Sequence, residues 1–148
     1  MNEIMEILQS NLTFYEKKFN PSIIGNISKG SKTNELKELI NKQIQIEEDI
    51  FELRFKKIIE TQDPYLPPLD FELDQKNFYT VAPNLNLSLE QLIKLKLKIM
   101  NFILNLPNTS YDRYGYHWNE GHISLGQLVN RYVNNDVKFK EKIKEIIN

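Results

Sequence analysis

The sequence contains no cysteine, only two histidines and no long apolar run. Without cysteine it can build no disulfide framework, thiolate zinc site or CxxC redox pair, and it has no cysteine nucleophile. A membrane-spanning helix needs about 18 or more consecutive apolar residues, and no such run occurs. The 19 basic and 20 acidic side chains nearly cancel, whereas nucleic-acid-binding domains are usually strongly basic. We therefore expect neither a membrane protein nor a nucleic-acid-binding protein.

The chain does contain enough apolar material for one domain. Its 148 residues are 41% hydrophobic and 26% charged, which is typical of a globular protein. We expect residues 1–148 to form a single domain that buries about 70% of the surface its unfolded chain exposes. The N-terminal residues include Glu3 and Glu6, whereas a secretory signal starts with basic residues. We therefore expect a cytoplasmic protein.

Glycine and proline cluster in four places and leave long segments between them at 2–19, 33–61, 88–106 and 124–148. In each segment apolar side chains recur every three or four residues, the spacing of an amphipathic helix. The pattern predicts an all-α four-helix bundle in which two connections are long. Long connections are where pockets and lids are commonly found.

The third segment carries a second, conflicting pattern. Residues 93–99 alternate between apolar side chains and lysine, which is a strand signal. Ser88 and Gln91, however, form a capping box that predicts a helix starting at Ser88, and the helical spacing continues for five turns. Ser124 and Gln127 repeat this capping box at the start of the fourth segment. We therefore expect two helices here.

Charged residues on the predicted helices are expected to face solvent. Three lysines alternate along the third segment, and three consecutive acids in the second segment fan around the helix instead of forming a paired acid/base site. These residues are Lys94, Lys96 and Lys98, and Glu47, Glu48 and Asp49.

Catalytic motifs are missing from the sequence, which has no GxSxG, P-loop or GxGxxG pattern. The two histidines, His117 and His122, lie in the loop before the fourth segment, and their spacing fits no helical pair of metal ligands. We expect a loop histidine bound to solvent or to the backbone. A cluster of aromatic residues in the same loop could cover the bundle end or line the mouth of a pocket. Its members are Tyr111, Tyr114, Tyr116 and Trp118.

Two amides interrupt the apolar faces, Gln43 on the second segment and Asn135 on the fourth. A buried amide without a partner costs about 1–3 kcal/mol. We therefore expect Gln43 and Asn135 to lie within hydrogen-bond reach of each other, directly or through one water.

Several motifs follow one another in a specific order. The second segment carries an acidic and aromatic stretch, a proline-rich turn ends in Asp70, and the third segment ends in a leucine-proline turn. An R-x-G-x-H-x-x-x-G pattern follows, and then the start and end of the fourth segment. The residues are Gln43 with Glu48 and Asp49; Pro64, Pro67, Pro68 and Asp70; Leu106 and Pro107; Arg113, Gly115, His117 and Gly121; and Ser124, Asn135, Asp136, Phe139 and Ile143.

In these motifs residues 34–146 resemble the DinB/YfiT superfamily of bacterial four-helix-bundle proteins. The resemblance implies a bundle whose members typically bind one divalent metal through three histidines. The matching positions here are Gln43, Asn135 and Phe139, which are poor ligands or none, so we expect no metal cofactor. Asp136 is expected to anchor the adjacent loop. The expected remnant pocket consists of Gln43, Asn135 and Phe139 at its floor, Tyr132 beside them, and His117 and Trp118 at its mouth.

The expected function is that of a non-catalytic DinB-like protein that binds a small molecule or a partner. One alternative is a metal-dependent, thiol-transferase-like enzyme whose substitute ligands are Asp136, Glu47 and His117. A second alternative is a structural homodimer, because the resemblance implies pairing through helix faces.

Overall fold

The computed structural model describes residues 2–18, 31–69 and 84–147. Asp70, the last residue of the proline-rich motif, lies outside these ranges. The four predicted helical segments are confirmed, and the second is a rod in which a π-helical segment, Phe51–Phe55, joins two α-helices. The helices are α1 (Asn2–Lys18), α2 (Ser31–Ile50), α3 (Lys56–Glu60), α4 (Leu85–Leu104) and α5 (Leu125–Ile147). Within the described ranges, no helix is both long and apolar enough to cross a membrane.

The helix predicted from the third segment starts earlier than its capping box indicates. Asn84 is the N-cap of α4, since its side chain accepts a hydrogen bond from the backbone N–H of Leu87. Ser88 is buried inside the helix and donates to Oδ1 of Asn41 on α2 at 2.8 Å. The prediction of Ser88 as a cap is therefore wrong, because this hydroxyl has a tertiary partner that a local pattern does not reveal.

The second capping box is confirmed. The backbone N–H of Gln127 donates to Oγ of Ser124 at 3.1 Å, and the backbone N–H of Ser124 donates to Oε1 of Gln127 at 2.8 Å. This reciprocal pair satisfies two backbone donors at the start of α5.

The segment before α5 was expected to be a loop, but it forms a short antiparallel hairpin. Strand β1 (Tyr114–His117) pairs with β2 (Gly121–Ser124). A positive φ of 76° at Gly121, a conformation that glycine adopts readily, lets the chain turn back into β2. Leu66 fastens the hairpin to the bundle: its N–H donates to the carbonyl of Tyr116 at 2.7 Å. Such short strands were missed because they depend on this tertiary pairing.

The apolar core has two layers that meet near the middle of the bundle. One layer includes Leu12 of α1 and Ile99 of α4, and the other includes Leu36 of α2 and Phe139 of α5. Buried polar side chains lie where one layer gives way to the other on every long helix. We call this set the polar belt; it consists of Asn11, Tyr15, Gln43, Glu47, Lys96, Tyr132 and Asp136.

Replacing Gly115 with alanine tests how closely the hairpin is packed. A Cβ at Gly115 would lie 2.7–2.9 Å from three carbons of the fully buried Leu66 side chain. We expect Gly115→Ala to lower the free energy of unfolding by about 1–3 kcal/mol through overpacking, as measured by urea denaturation. Gly126→Ala is the matched control, because a Cβ there meets no atom closer than 3.4 Å. Equal stability of the two variants would contradict this packing.

Candidate functional site

The centre of the bundle holds a buried cation between two buried carboxylates. Nζ of Lys96 on α4 lies 2.6 Å from Oε2 of Glu47 on α2 and 2.6 Å from Oδ1 of Asp136 on α5. These side chains are 3%, 0% and 3% exposed, respectively. Taking charges out of water costs several kcal/mol per ion, so such groups are tolerated when they are paired and hydrogen-bonded. The three residues link three helices.

Neutral side chains donate further hydrogen bonds to the two carboxylates. Asn11 on α1 donates to Oδ2 of Asp136 at 2.8 Å, and the Tyr15 hydroxyl donates to Oδ1 of the same carboxylate at 3.1 Å. The Tyr132 hydroxyl donates to Oε1 of Glu47 at 2.7 Å. The first helix therefore joins the belt through Asp136, and all four long helices of the described ranges contribute to it.

Burial and charge fix the protonation states of Tyr15, Tyr132 and Lys96. Burial, together with the nearby charges of Asp136 and Glu47, raises the pKa of the Tyr15 and Tyr132 hydroxyls well above their usual range. Burial alone would lower the pKa of Lys96, but the two carboxylates outweigh it and raise that pKa. The tyrosines are thus neutral donors and Lys96 is a cation at neutral pH.

The two amides meet as predicted. Nε2 of Gln43 donates to Oδ1 of Asn135 at 2.7 Å and also to Oε2 of Glu47 at 2.9 Å. Phe139 lines the same open groove as this pair, with a volume of about 410 Å³. We call this the amide groove. The structure therefore brings together the three positions that the family resemblance singled out.

Three predictions about charged residues are wrong. Glu47 and Lys96 were expected in solvent, and Asp136 was expected to anchor a loop, yet all three are buried together and Asp136 binds side chains of α1 and α4. The helical spacing did indicate that Lys96 is buried. Lys96 lies on the buried stripe of α4, which runs through Leu89, Leu92, Lys96, Ile99 and Ile103. The partner charges on other helices could not be read from that stripe.

Neither of the expected mouth residues, His117 and Trp118, lines the amide groove, and Tyr132, which was expected beside its floor, does not line it either. Tyr132 and His117 line a second cavity of about 280 Å³ beside the hairpin, and Trp118 is 63% exposed and is not in its wall. Nδ1 of His117 accepts hydrogen bonds from the backbone N–H groups of Asn119 and Glu120, which confirms the expected backbone partner. We call this space the hairpin cavity. Its wall is formed by Ile50, Arg54, Pro68, Leu69, His117, Glu120, Leu128, Arg131 and Tyr132.

Two arginines in the wall of the hairpin cavity were missed by the sequence reasoning. Arg131 pairs with Glu120 through two contacts, at 2.6 and 3.1 Å. Arg54, in the π-helical segment, is 5% exposed and donates through Nη2 to the carbonyl of Pro67 at 3.2 Å. Its Nε has no hydrogen-bond partner within the described residues. Burial and the charge of Arg131 lower the pKa of Arg54, and Glu120 partly offsets this.

The fold has a close match among solved structures. YfiT from Bacillus subtilis, described as "a probable metal-dependent hydrolase with an unusual four-helix bundle topology", superposes with a TM-score of 0.68. The match covers 98% of this chain and 84% of that one, at 16% sequence identity. This chain has the four-helix-bundle fold of YfiT. No family model matches the sequence, and no curated protein matches it.

The residues at the bundle centre do not fit the divalent metal that the family resemblance implies. The amides of Gln43 and Asn135 bind each other, and the carboxylates of Glu47 and Asp136 hold the ammonium group of Lys96. Among the described residues, no three His, Cys, Asp or Glu side chains form a group that could hold a metal. The alternative ligand set of Asp136, Glu47 and His117 is therefore not assembled, because His117 lines the hairpin cavity instead.

Replacing the buried lysine is expected to destabilise the bundle strongly. Lys96→Met leaves Glu47 and Asp136 buried without a cation, so we expect the free energy of unfolding to fall by about 3–5 kcal/mol. The control is Lys94→Met on the exposed face of α4, which should change stability by less than about 0.5 kcal/mol. Urea denaturation measures both, and similar values for the two variants would mean that the buried pairing contributes little.

High pH should destabilise the protein through the same groups. In the unfolded chain the tyrosines and Lys96 lose their protons near their ordinary pKa values of 10.0 and 10.5, whereas the folded chain keeps them because its pKa values are raised. The free energy of unfolding should therefore fall above about pH 10, by up to about 1.4 kcal/mol per pH unit for each group. Denaturation at pH 8, 10 and 11 measures this slope. It should be smaller in Tyr132→Phe, and an unchanged slope would count against Tyr132 as a contributor.

Proposed function

We propose that this protein binds a compact organic molecule in the hairpin cavity, without a metal-dependent chemical step. The observation that carries the proposal is that Arg54, whose side chain is in the wall of this space, has a buried donor, Nε, with no partner within the described residues. Buried donors in folded proteins are almost always hydrogen-bonded, so an unpaired one beside a cavity calls for an acceptor. A bound molecule supplies that acceptor.

The shape and lining of the hairpin cavity suit a small ligand. Its volume of about 280 Å³ is near the lower end of the range for ligand sites, which are mostly apolar with a few converging polar groups. Ile50, Leu69 and Leu128 supply apolar wall, and the polar groups come from the hairpin, the π-helical segment and α5. π-helical segments inside longer helices occur frequently at functional sites.

Binding without chemistry is supported by the state of the bundle centre. The polar groups there satisfy one another: Lys96 is held by Glu47 and Asp136, and Gln43 is held by Glu47 and Asn135. No step of a reaction is needed to explain why these residues are buried. The wall of the hairpin cavity, in contrast, includes Arg54, whose Nε has no partner among the residues that the structure describes.

Filling the hairpin cavity should abolish ligand binding. Leu69 lies in its wall and is only partly buried, so Leu69→Trp fills the space with little risk to folding. Ligand-observed NMR with compact neutral and charged ring compounds should detect binding to the wild type and none to Leu69→Trp. Leu104→Trp makes the same change at a position that is 57% exposed on α4 and should bind as the wild type does. If Leu69→Trp bound the compounds as well as the wild type does, or if the wild type bound none of them, the proposal would be overturned.

A further inference from the structure

The hairpin cavity carries more positive than negative charge. Arg54 and Arg131 both lie in its wall, whereas Glu120 is the one carboxylate among its described wall residues. Glu120 is committed to Arg131, with both carboxylate oxygens within 3.1 Å of the guanidinium group. The Arg54 guanidinium has a backbone carbonyl as its hydrogen-bond partner. Its charge is therefore not matched by an acid in direct contact within the described residues.

An unmatched buried guanidinium has a defined preference for ligands. Its N–H groups form a planar fork that fits two oxygens of one carboxylate. Arg54 is buried and close enough to Arg131 for like-charge repulsion to disfavour its charged form. An anion beside Arg54 would offset both the cost of burying its charge and the repulsion from Arg131.

We infer that the ligand of the hairpin cavity is an organic monocarboxylate with a compact apolar body, an inference that rests on the proposed function. The carboxylate accepts hydrogen bonds from the guanidinium group of Arg54, and the apolar body packs against Ile50, Leu69 and Leu128. One negative charge balances the excess of one positive charge that the described wall residues carry. The small volume selects a body about the size of a single ring.

Glu120 competes with this ligand for the Arg131 guanidinium group. It is 40% exposed in its side chain and reaches Arg131 from the hairpin, so it holds one of the two guanidinium groups in the cavity wall. Replacing its charge leaves Arg131 free to join Arg54 in binding an added carboxylate. The ion pair therefore limits the affinity of the site.

Matched acids and amides separate the charge of a ligand from its shape. Benzoate and benzamide have nearly the same size, and titrations of each by NMR or calorimetry give their dissociation constants at fixed ionic strength. We expect wild-type protein to bind benzoate about tenfold or more tightly than benzamide. Arg54→Met should remove this preference while leaving benzamide affinity within about twofold. Lys57→Met, which removes an exposed charge from the same rod, should keep the preference.

Two further variants test the role of Glu120. Glu120→Gln should strengthen benzoate binding about threefold or more without changing benzamide binding. Glu60→Gln neutralises an exposed acid of the same rod as Arg54 that is not among the wall residues of the cavity, and should leave the benzoate affinity unchanged. A gain in Glu60→Gln and none in Glu120→Gln would overturn the role of Glu120 as the competitor.

The outcomes distinguish this inference from the proposed function. Equal binding of benzoate and benzamide by the wild type, abolished in Leu69→Trp, would overturn the carboxylate assignment and leave the binding function standing. Tighter binding of phenyl phosphate than of benzoate would also overturn it, in favour of a phosphate ester. Failure of every compound to bind would overturn both.

Discussion

The bundle is organised around the ion pairs that Lys96 makes with Glu47 and Asp136. Each of these charges would be unstable alone in an apolar core, since removing an ion from water costs several kcal/mol. Together they are stable because three helices bring them to one place, and because neutral side chains donate further hydrogen bonds to the carboxylate oxygens. The donors are side chains of α1, α2 and α5, so a shift of any long helix along its axis would break at least one of these contacts. The pairing thereby sets the register of the helices as well as their proximity.

This polar belt also borders both the amide groove and the hairpin cavity. It separates the two apolar layers, and one of its members, Gln43, lines the amide groove together with Asn135. Tyr132 connects the belt to the hairpin cavity, because its hydroxyl binds Glu47 while the residue also lines the cavity wall. The hairpin closes the other side of this cavity and is fastened by Leu66. The bundle centre therefore adjoins a cavity in whose wall the π-helical segment places Arg54.

The fold is that of YfiT, but the chemistry at its centre has to be judged from the residues of this chain. At 16% identity the similarity establishes architecture and not activity. Where the family resemblance implies a divalent cation, this chain has paired amides and, beside them, a buried ammonium group. The positive charge at the bundle centre thus comes from a covalently attached side chain. The polar group that still needs a partner within the described residues lies elsewhere, in the hairpin cavity.

The sequence by itself determined the helices, the cap at Ser124 and the meeting of Gln43 with Asn135. These follow from apolar periodicity and from the cost of an unpaired amide, both of which can be read along one chain. Only the tertiary structure decided that Glu47, Lys96 and Asp136 are buried. A charged residue on a helix is assigned to solvent unless its partners are known, and here the partners belong to other helices. The hairpin and the buried, unpaired donor of Arg54 within the described residues could not be predicted for the same reason, since strand pairing and the walls of a cavity exist only once distant segments pack together.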